Sequence, residues 1–217
     1  MSANDVSPSG TRLTYRMFRA TFALIFYTFF RGRVYNKHRV PRTGAVLLVS
    51  NHQSHVDPVV TTLALPRECH YVARDSLFTN PIFGRVIRHL NAFPIKRGTA
   101  DVGALKEMLR RLRRGCAVTI FPEGTRSKDG ELGAFRPNSL AVAKKAGVMI
   151  VPVTVSGAYK ALPRGSILPR PKQVRVAYCE PITAEQVGEW DEPTISATIH
   201  TRIAETLAIL NRGEAPA

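Results

Sequence analysis

Short apolar runs that each stop at a polar or basic turn constrain this chain more than any other feature. Ala45-Val46-Leu47-Leu48-Val49 gives way to Ser50-Asn51-His52-Gln53-Ser54-His55-Val56-Asp57-Pro58, and a second apolar stretch, Val59 to Leu65, follows. The order predicts a buried strand, a polar turn and a helix. The same grammar recurs along the chain. Cys69 to Ala73 ends in Arg74-Asp75-Ser76, and Asn80-Pro81 then opens a helix through Ile82, Val86, Ile87 and Leu90. Ala92 to Ile95 ends in Lys96-Arg97-Gly98. Thr99 is positioned to cap a helix with an apolar face of Val102, Leu105, Met108, Leu109 and Leu112, stopped by Gly115. Cys116 to Phe121 runs straight into Pro122-Glu123-Gly124-Thr125-Arg126-Ser127. After a helix from Pro137 to Gly147 come the apolar run Val148 to Val155, the alternating run Val174 to Tyr178, and a closing helix striped by Ile195, Ile199, Ile203, Leu207 and Leu210. Strands that alternate with helices predict an α/β domain with a central, mixed, mostly parallel sheet flanked by helices. Pro152, inside the fifth run, predicts an edge position or a bulge.

The 217 residues suit one such domain, with residues 34–217 as its extent. Cys69, Cys116 and Cys179 are widely spaced and odd in number, which predicts reduced, buried thiols in a cytosolic compartment. Lys and Arg outnumber Asp and Glu by 31 to 16, a formal charge of +15. That excess calls for an anionic partner: nucleic acid, an anionic membrane or a phosphorylated substrate.

The N-terminal region narrows the choice. Residues 1–11 are short and polar and read as a flexible tail. Residues 12–33 read as an amphipathic helix: Ala20 to Phe30 carries no charge, while Arg12, Arg16 and Arg19 precede it and Arg31 and Arg33 close it. The apolar stretch is about half of the ~20 residues a membrane span needs. Such a segment suits the membrane interface, with aromatic side chains in the acyl boundary and Arg12, Arg16, Arg19, Arg31, Arg33, Lys37 and Arg39 on lipid phosphates. Each large apolar side chain buried contributes ~1.5–3 kcal/mol and each basic residue near an anionic leaflet about 1 kcal/mol. The competing expectation is a helix packed against the protein's own core.

Chemistry concentrates at the strand ends, where open α/β proteins build their sites. Five positions apart on one continuous helix, His52 and Asp57 would point roughly 140° from each other. His52 must therefore lie in the turn, with Asp57 near the helix start, where its carboxylate can bond one imidazole nitrogen and leave the other as a base toward a hydroxyl. Two alternatives stand beside this. Asp57 ahead of Pro58 is also a good helix cap with Pro at the first helical position. His52, His55 and Asp57 also cluster like metal ligands, although their spacing departs from that of metallo-β-lactamase-like hydrolases. In the fourth turn, Gly124 lets the backbone approach a ligand, and Glu123 and Arg126 supply opposite charges. Arg126 and Arg97, if their turns are neighbours, would grip a phosphate through charge-assisted hydrogen bonds of ~1.5–3 kcal/mol each.

Asn51-His52 with Asp57, Phe93 with Arg97, Phe121-Pro122-Glu123-Gly124-Thr125-Arg126-Ser127 and Val151-Pro152-Val153, in this order and each at a strand end, resemble the four blocks of the glycerolipid acyltransferase family. The closest resemblance is to its lysophosphatidate (1-acylglycerol-3-phosphate) branch, and it covers roughly Val40 to Tyr178. The resemblance implies that His52 deprotonates the acceptor hydroxyl, that Asp57 orients it, and that the alkoxide attacks an acyl thioester with no acyl-enzyme. It also implies that Arg97, Glu123, Gly124, Thr125 and Arg126 hold the acceptor's phosphate and glycerol. No metal or cofactor is expected beyond acyl-CoA or acyl carrier protein as co-substrate. The expected partners are a lysophospholipid and an anionic membrane surface on the cytoplasmic face, with no nucleic acid. Asn91-Ala92, Lys96, Arg74 and Asn138 depart from the family's usual residues, which bears on which acceptor is used. The alternative is the same acyl transfer to another lysophospholipid, to glycerol 3-phosphate or to an amino-acid lipid; the rivals are a metal-dependent hydrolase and a basic membrane- or nucleic-acid-binding domain.

Overall fold

A computed structural model describes residues 13–95 and 101–217. Its elements are α1 (Leu13–Thr28), β1 (Arg33–Tyr35), β2 (Val46–Ser50), α2 (Asp57–Val60), β3 (Cys69–Arg74), α3 (Pro81–His89), β4 (Ala92–Ile95), α4 (Val102–Arg113), β5 (Ala117–Ile120), α5 (Ala141–Ala146), β6 (Met149–Ser156), α6 (Ala158–Ala161), β7 (Arg175–Tyr178), α7 (Ala184–Glu189) and α8 (Glu192–Asn211). Among the described residues the strands form one sheet in the order β1-β7-β6-β2-β5-β3-β4. Only β6 and β7 pair antiparallel; every other neighbouring pair is parallel. The fold is thus the mixed, mostly parallel α/β sheet read from the sequence.

The near-continuous apolarity of β2 has a direct cause: Val46, Leu47, Leu48 and Val49 are all fully buried because both faces of the sheet are covered. Val46 and Leu48 face a cluster with Phe26 and Phe30 from the N-terminal region and Val60 and Leu63 from the α2 region. Leu47 and Val49 face the opposite cluster, which includes Leu112 of α4, Val142 of α5, Val187 of α7 and the Ile195, Ile199 and Ile203 stripe of α8. With β6 on one side and β5 on the other, the carboxyl end of β2 opens between the segments that follow its two neighbours.

Several boundaries differ from the sequence reading for local reasons. The helix expected over residues 12–33 runs over Leu13–Thr28, and Arg33 already belongs to β1. Arg31 takes a left-handed conformation (φ 45°) and the Gly32 N–H bonds the Phe26 carbonyl at 2.8 Å, which turns the chain out of the helix. A Cβ on Gly32 would run into the Phe26 ring, so this turn needs glycine. Helix α4 is capped by Asp101, whose side chain accepts from the Ala104 N–H at 2.9 Å. Thr99, the cap expected from the sequence, lies outside the described residues, as does the 1–11 tail. Val102, expected on the apolar face of α4, is exposed. Pro152 sits in an interior strand, not at an edge. Between the pairs Ile150–Ile182 and Val153–Tyr178, β6 has two residues and the facing segment has three, so the ladder slips by one residue beside Pro152. A bulge at that point accommodates the missing N–H.

Helix α1 packs one side against the protein's own core and leaves other apolar side chains exposed. Tyr15, Phe26 and, just beyond the helix, Phe30 are buried, while Leu13, Met17, Leu24, Ile25 and Tyr27 are exposed. Two of the arginines assigned to lipid are engaged within the protein. Arg19 donates to the Leu65 carbonyl at 2.6 Å; Arg39 donates to the Tyr178 carbonyl at 3.1 Å and pairs with Glu180 at 3.3 Å. Arg12 lies outside the described residues. No helix among the described residues is long and apolar enough to cross a membrane.

Candidate active site

Beyond Ser50 the backbone leaves the sheet but stays clamped to both neighbours. The Asn51 side chain substitutes for a strand partner: its Nδ2 donates to the Val155 carbonyl and its Oδ1 accepts from the Val155 N–H, both at 2.8 Å. One residue on, the hold passes to the segment after β5. The His52 N–H donates to Glu123 Oε1 at 2.8 Å, and the His52 carbonyl accepts from the Ser127 N–H at 2.7 Å. The imidazole stacks on Phe121, with ring centroids 4.2 Å apart. His52 keeps 9% of its surface exposed, so the ring is fixed on several sides but reachable.

His52 Nδ1 lies 2.9 Å from Asp57 Oδ2. The same oxygen accepts the N–H groups of Gln53 and Ser54, each at 2.6 Å. Asp57 is the first residue of α2 rather than its cap; the cap position is Val56, and no side-chain cap bond forms. The capping alternative is therefore corrected: the carboxylate reaches back into the turn because the turn presents it with two N–H groups and an imidazole. A carboxylate can only accept, so in the neutral imidazole this contact selects the tautomer with the proton on Nδ1 and the lone pair on Nε2. That is the state a general base requires. His55 is exposed, and among the described residues no group of three or more His, Cys, Asp or Glu side chains is arranged to hold a metal ion.

The Pro122–Ser127 turn supplies the other wall. Glu123 is buried and accepts from the His52 N–H and, at 3.3 Å, from the Gly133 N–H. Burial pushes its carboxyl above the ordinary value, opposed by those two hydrogen bonds and by His52, with Asp57 adding to the rise. Its role here is to tie the turn to the backbone of His52. Gly124 has φ 65°, and a Cβ there would strike the Arg136 side chain, whose Nε donates to the Glu123 carbonyl at 3.2 Å. The left-handed φ is what favours glycine here, and the neighbour in this structure is the Arg136 side chain. Thr125 is exposed and Arg126 is partly exposed at the rim. Burial lowers the Arg126 pKa, and the nearby positive charge of Arg164 adds to that, while Asp57 opposes it. Arg97, expected beside Arg126, lies outside the described residues together with Lys96.

Three contributors were missed in the sequence. Phe121 and Gln53 stand inside the motifs but were not singled out. Gln53 spans the site, its Nε2 donating to the Gly130 carbonyl at 2.6 Å and its Oε1 accepting from the Tyr159 N–H at 3.4 Å. Arg164 belongs to a loop that reaches the site because the Leu162 carbonyl accepts from Ser54 Oγ at 2.9 Å. The one signal available for it was the basic, proline-rich composition of that loop.

A sequence profile of the acyltransferase family matches residues 31–156. The chain is 35% identical over 147 residues to the 1-acyl-sn-glycerol-3-phosphate acyltransferase LPAT1, chloroplastic, of Arabidopsis thaliana, covering 66% of this chain and 41% of that protein. It is 28% identical over 126 residues to the 1-acyl-sn-glycerol-3-phosphate acyltransferase of Bacillus subtilis, covering 58% of this chain and 62% of that one. The chain therefore spans less than two thirds of the length of either of these curated relatives. The crystal structure of the 1-acyl-sn-glycerophosphate acyltransferase PlsC from Thermotoga maritima superposes with a TM-score of 0.78 at 26% identity, covering 91% of this chain and 78% of that one.

Proposed function

Because the chain belongs to the acyltransferase family, we propose that it transfers a fatty acyl group from a thioester to the free hydroxyl of 1-acylglycerol-3-phosphate, forming phosphatidate. The observation that carries this reading is the 2.9 Å bond between His52 Nδ1 and Asp57 Oδ2 at the carboxyl end of β2, which turns Nε2 into a base. Supporting it are the names of the relatives and the strongly positive charge, which suits a phosphorylated acceptor.

The acceptor hydroxyl gives its proton to Nε2 as its oxygen attacks the thioester carbonyl. The tetrahedral intermediate then collapses, the C–S bond breaks, and the departing thiolate takes the proton back from Nε2. Asp57 stabilises the imidazolium between these two transfers. Arg126, with Arg97, pairs with the acceptor's phosphate by charge-assisted hydrogen bonds. Glu123 and Gly124 hold the turn that places Arg126 and the exposed Thr125. The donor is acyl-CoA or acyl carrier protein, both polyanionic and suited to the +15 chain. The acceptor resides in an anionic membrane on the cytoplasmic face, which the enzyme meets peripherally through the exposed side chains of α1.

The test is thiol release from a long-chain acyl-CoA with and without 1-acylglycerol-3-phosphate, with the product identified by chromatography. Release is expected to require the acceptor and yield phosphatidate. In His52→Ala it is expected to fall by roughly 10²–10⁴, the usual contribution of a general base. Release without acceptor would mean a thioesterase. Chelator-sensitive turnover would mean the metal-dependent hydrolase.

A further inference from the structure

The segment between α6 and β7 carries the two most solvent-exposed large aliphatic side chains of the described residues, side by side. Ile167 is 92% exposed and Leu168 77% exposed. Consecutive aliphatics at a loop tip are costly in water, and this tip is held in place. The loop closes at its base through the Arg170 N–H on the Ala161 carbonyl at 2.7 Å. Inside it, the Ser166 N–H bonds the Pro163 carbonyl and Ser166 Oγ bonds the Leu168 carbonyl, both at 3.1 Å. Pro163, Pro169 and Pro171 stiffen it further. The tip is therefore projected outward by a built turn.

Its two ends locate it. At the start, the Leu162 carbonyl accepts from Ser54 Oγ, two residues past His52. At the far end, the Val174 N–H bonds the Phe30 carbonyl at 3.1 Å and the Arg33 N–H bonds the Val174 carbonyl at 3.0 Å, stitching the loop to the chain that leaves α1. The loop thus spans from the catalytic edge to the end of the helix whose Leu24, Ile25 and Tyr27 are exposed. Arg164, Arg170 and Lys172, within four residues of the tip along the same loop, are exposed.

We propose that the Pro163–Lys172 loop is a second bilayer contact: Ile167 and Leu168 enter the acyl boundary of an anionic phospholipid surface while the surrounding basic side chains pair with its headgroup phosphates. Apolar tip and basic collar together match that surface and no uniformly polar one. With α1 as the first contact, the loop sets the mouth of the site against the layer that carries a lipid acceptor. The assignment shares the membrane-borne acceptor with the function proposed above, but its observations are independent of the chemistry.

The experiment places a single tryptophan at the tip (Leu168→Trp in a Trp190→Phe background) and adds vesicles of phosphatidylglycerol and phosphatidylcholine containing brominated acyl chains. A blue shift and quenching of that tryptophan are expected. Ile167→Ser with Leu168→Ser is expected to weaken vesicle partitioning tenfold or more, equivalent to about 1.4 kcal/mol, while turnover of a short-chain acceptor free in solution stays unchanged. Vesicles of phosphatidylcholine alone are expected to bind far more weakly. A vesicle-bound protein whose tip tryptophan is unquenched overturns the assignment. So does a double variant that partitions normally, or one equally impaired on the dissolved acceptor, since the loop would then belong to the substrate site. Equal binding to neutral vesicles removes the basic collar from the mechanism. A protein that inserts its tip but transfers no acyl group refutes the function proposed above and leaves the loop assignment standing.

Discussion

Asp57 Oδ2 takes three hydrogen bonds while Oδ1 is buried with no partner among the described residues. A single oxygen organises the turn and the imidazole together, so charge and shape are separable by substitution. Asp57→Asn keeps an oxygen for the Gln53 and Ser54 N–H groups but no longer stabilises an imidazolium. Turnover is expected to fall roughly 10²-fold or more, within the range of a general base, with KM and the circular dichroism spectrum little changed. Glu123 offers a pH test. Its folded pKa is raised by burial above the ordinary 4.5, so between those two values the native state binds more protons than the unfolded one. Stability contributed at this position is then largest at low pH and is lost as pH rises through the window. The denaturation midpoint of Glu123→Gln relative to the wild type is expected to increase with pH across it. The partnership of His52 with Asp57 was legible because both lie in one turn of nine residues. The bond from His52 to Glu123 was not, because it crosses 71 positions and exists only because β2 pairs with β5.

Strand β6 explains more of the site than its own residues do. Asn51 bonds both backbone groups of Val155, so removing the amide leaves two buried polar groups unpaired. Asn51→Ala is expected to destabilise the domain by ~1–3 kcal/mol, read as a lower denaturant midpoint, and to reduce turnover through loss of the His52 position. Strands β2 to β7 are legible in the sequence because their apolar runs are interrupted by polar turns. Strand β1 is not: its Arg33-Val34-Tyr35 is too short and too charged to stand out and becomes a strand only by pairing with β7. The end of α1 is not legible either, since apolarity continues through Phe30 and the ending depends on the left-handed Arg31 and the contact of Gly32 with Phe26.

Charge and thiols are properties of the assembled protein. A chain of +15 that meets an anionic bilayer does so with released counterions and screened fields. Partitioning onto phosphatidylglycerol vesicles is expected to fall steeply between low and high salt, whereas turnover of a dissolved acceptor changes far less. The three cysteines are free and buried, and burial raises the pKa of each, that of Cys69 up to about 12. At neutral pH they carry little thiolate. The native protein is expected to resist alkylation at neutral pH, and three thiols per chain are expected to react in denaturant, by mass spectrometry. That resistance also keeps the background low in a thiol-release assay.

Sequence alone determined what is local or periodic: the α/β class, the strand order along the chain, the α8 stripe, and the His52 turn with its carboxylate. These follow from burial period and turn chemistry, which act within a few residues. Tertiary structure decided what depends on pairing partners. It placed the Glu123 turn against the backbone of His52, set Arg136 beside Gly124, engaged Arg19 and Arg39 inside the protein, and brought the loop of Ile167 and Leu168 between the His52 turn and the end of α1. Contacts of this kind arise from sheet order, and sheet order is set by how two apolar layers close over both faces of β2, a condition no single stretch of sequence contains.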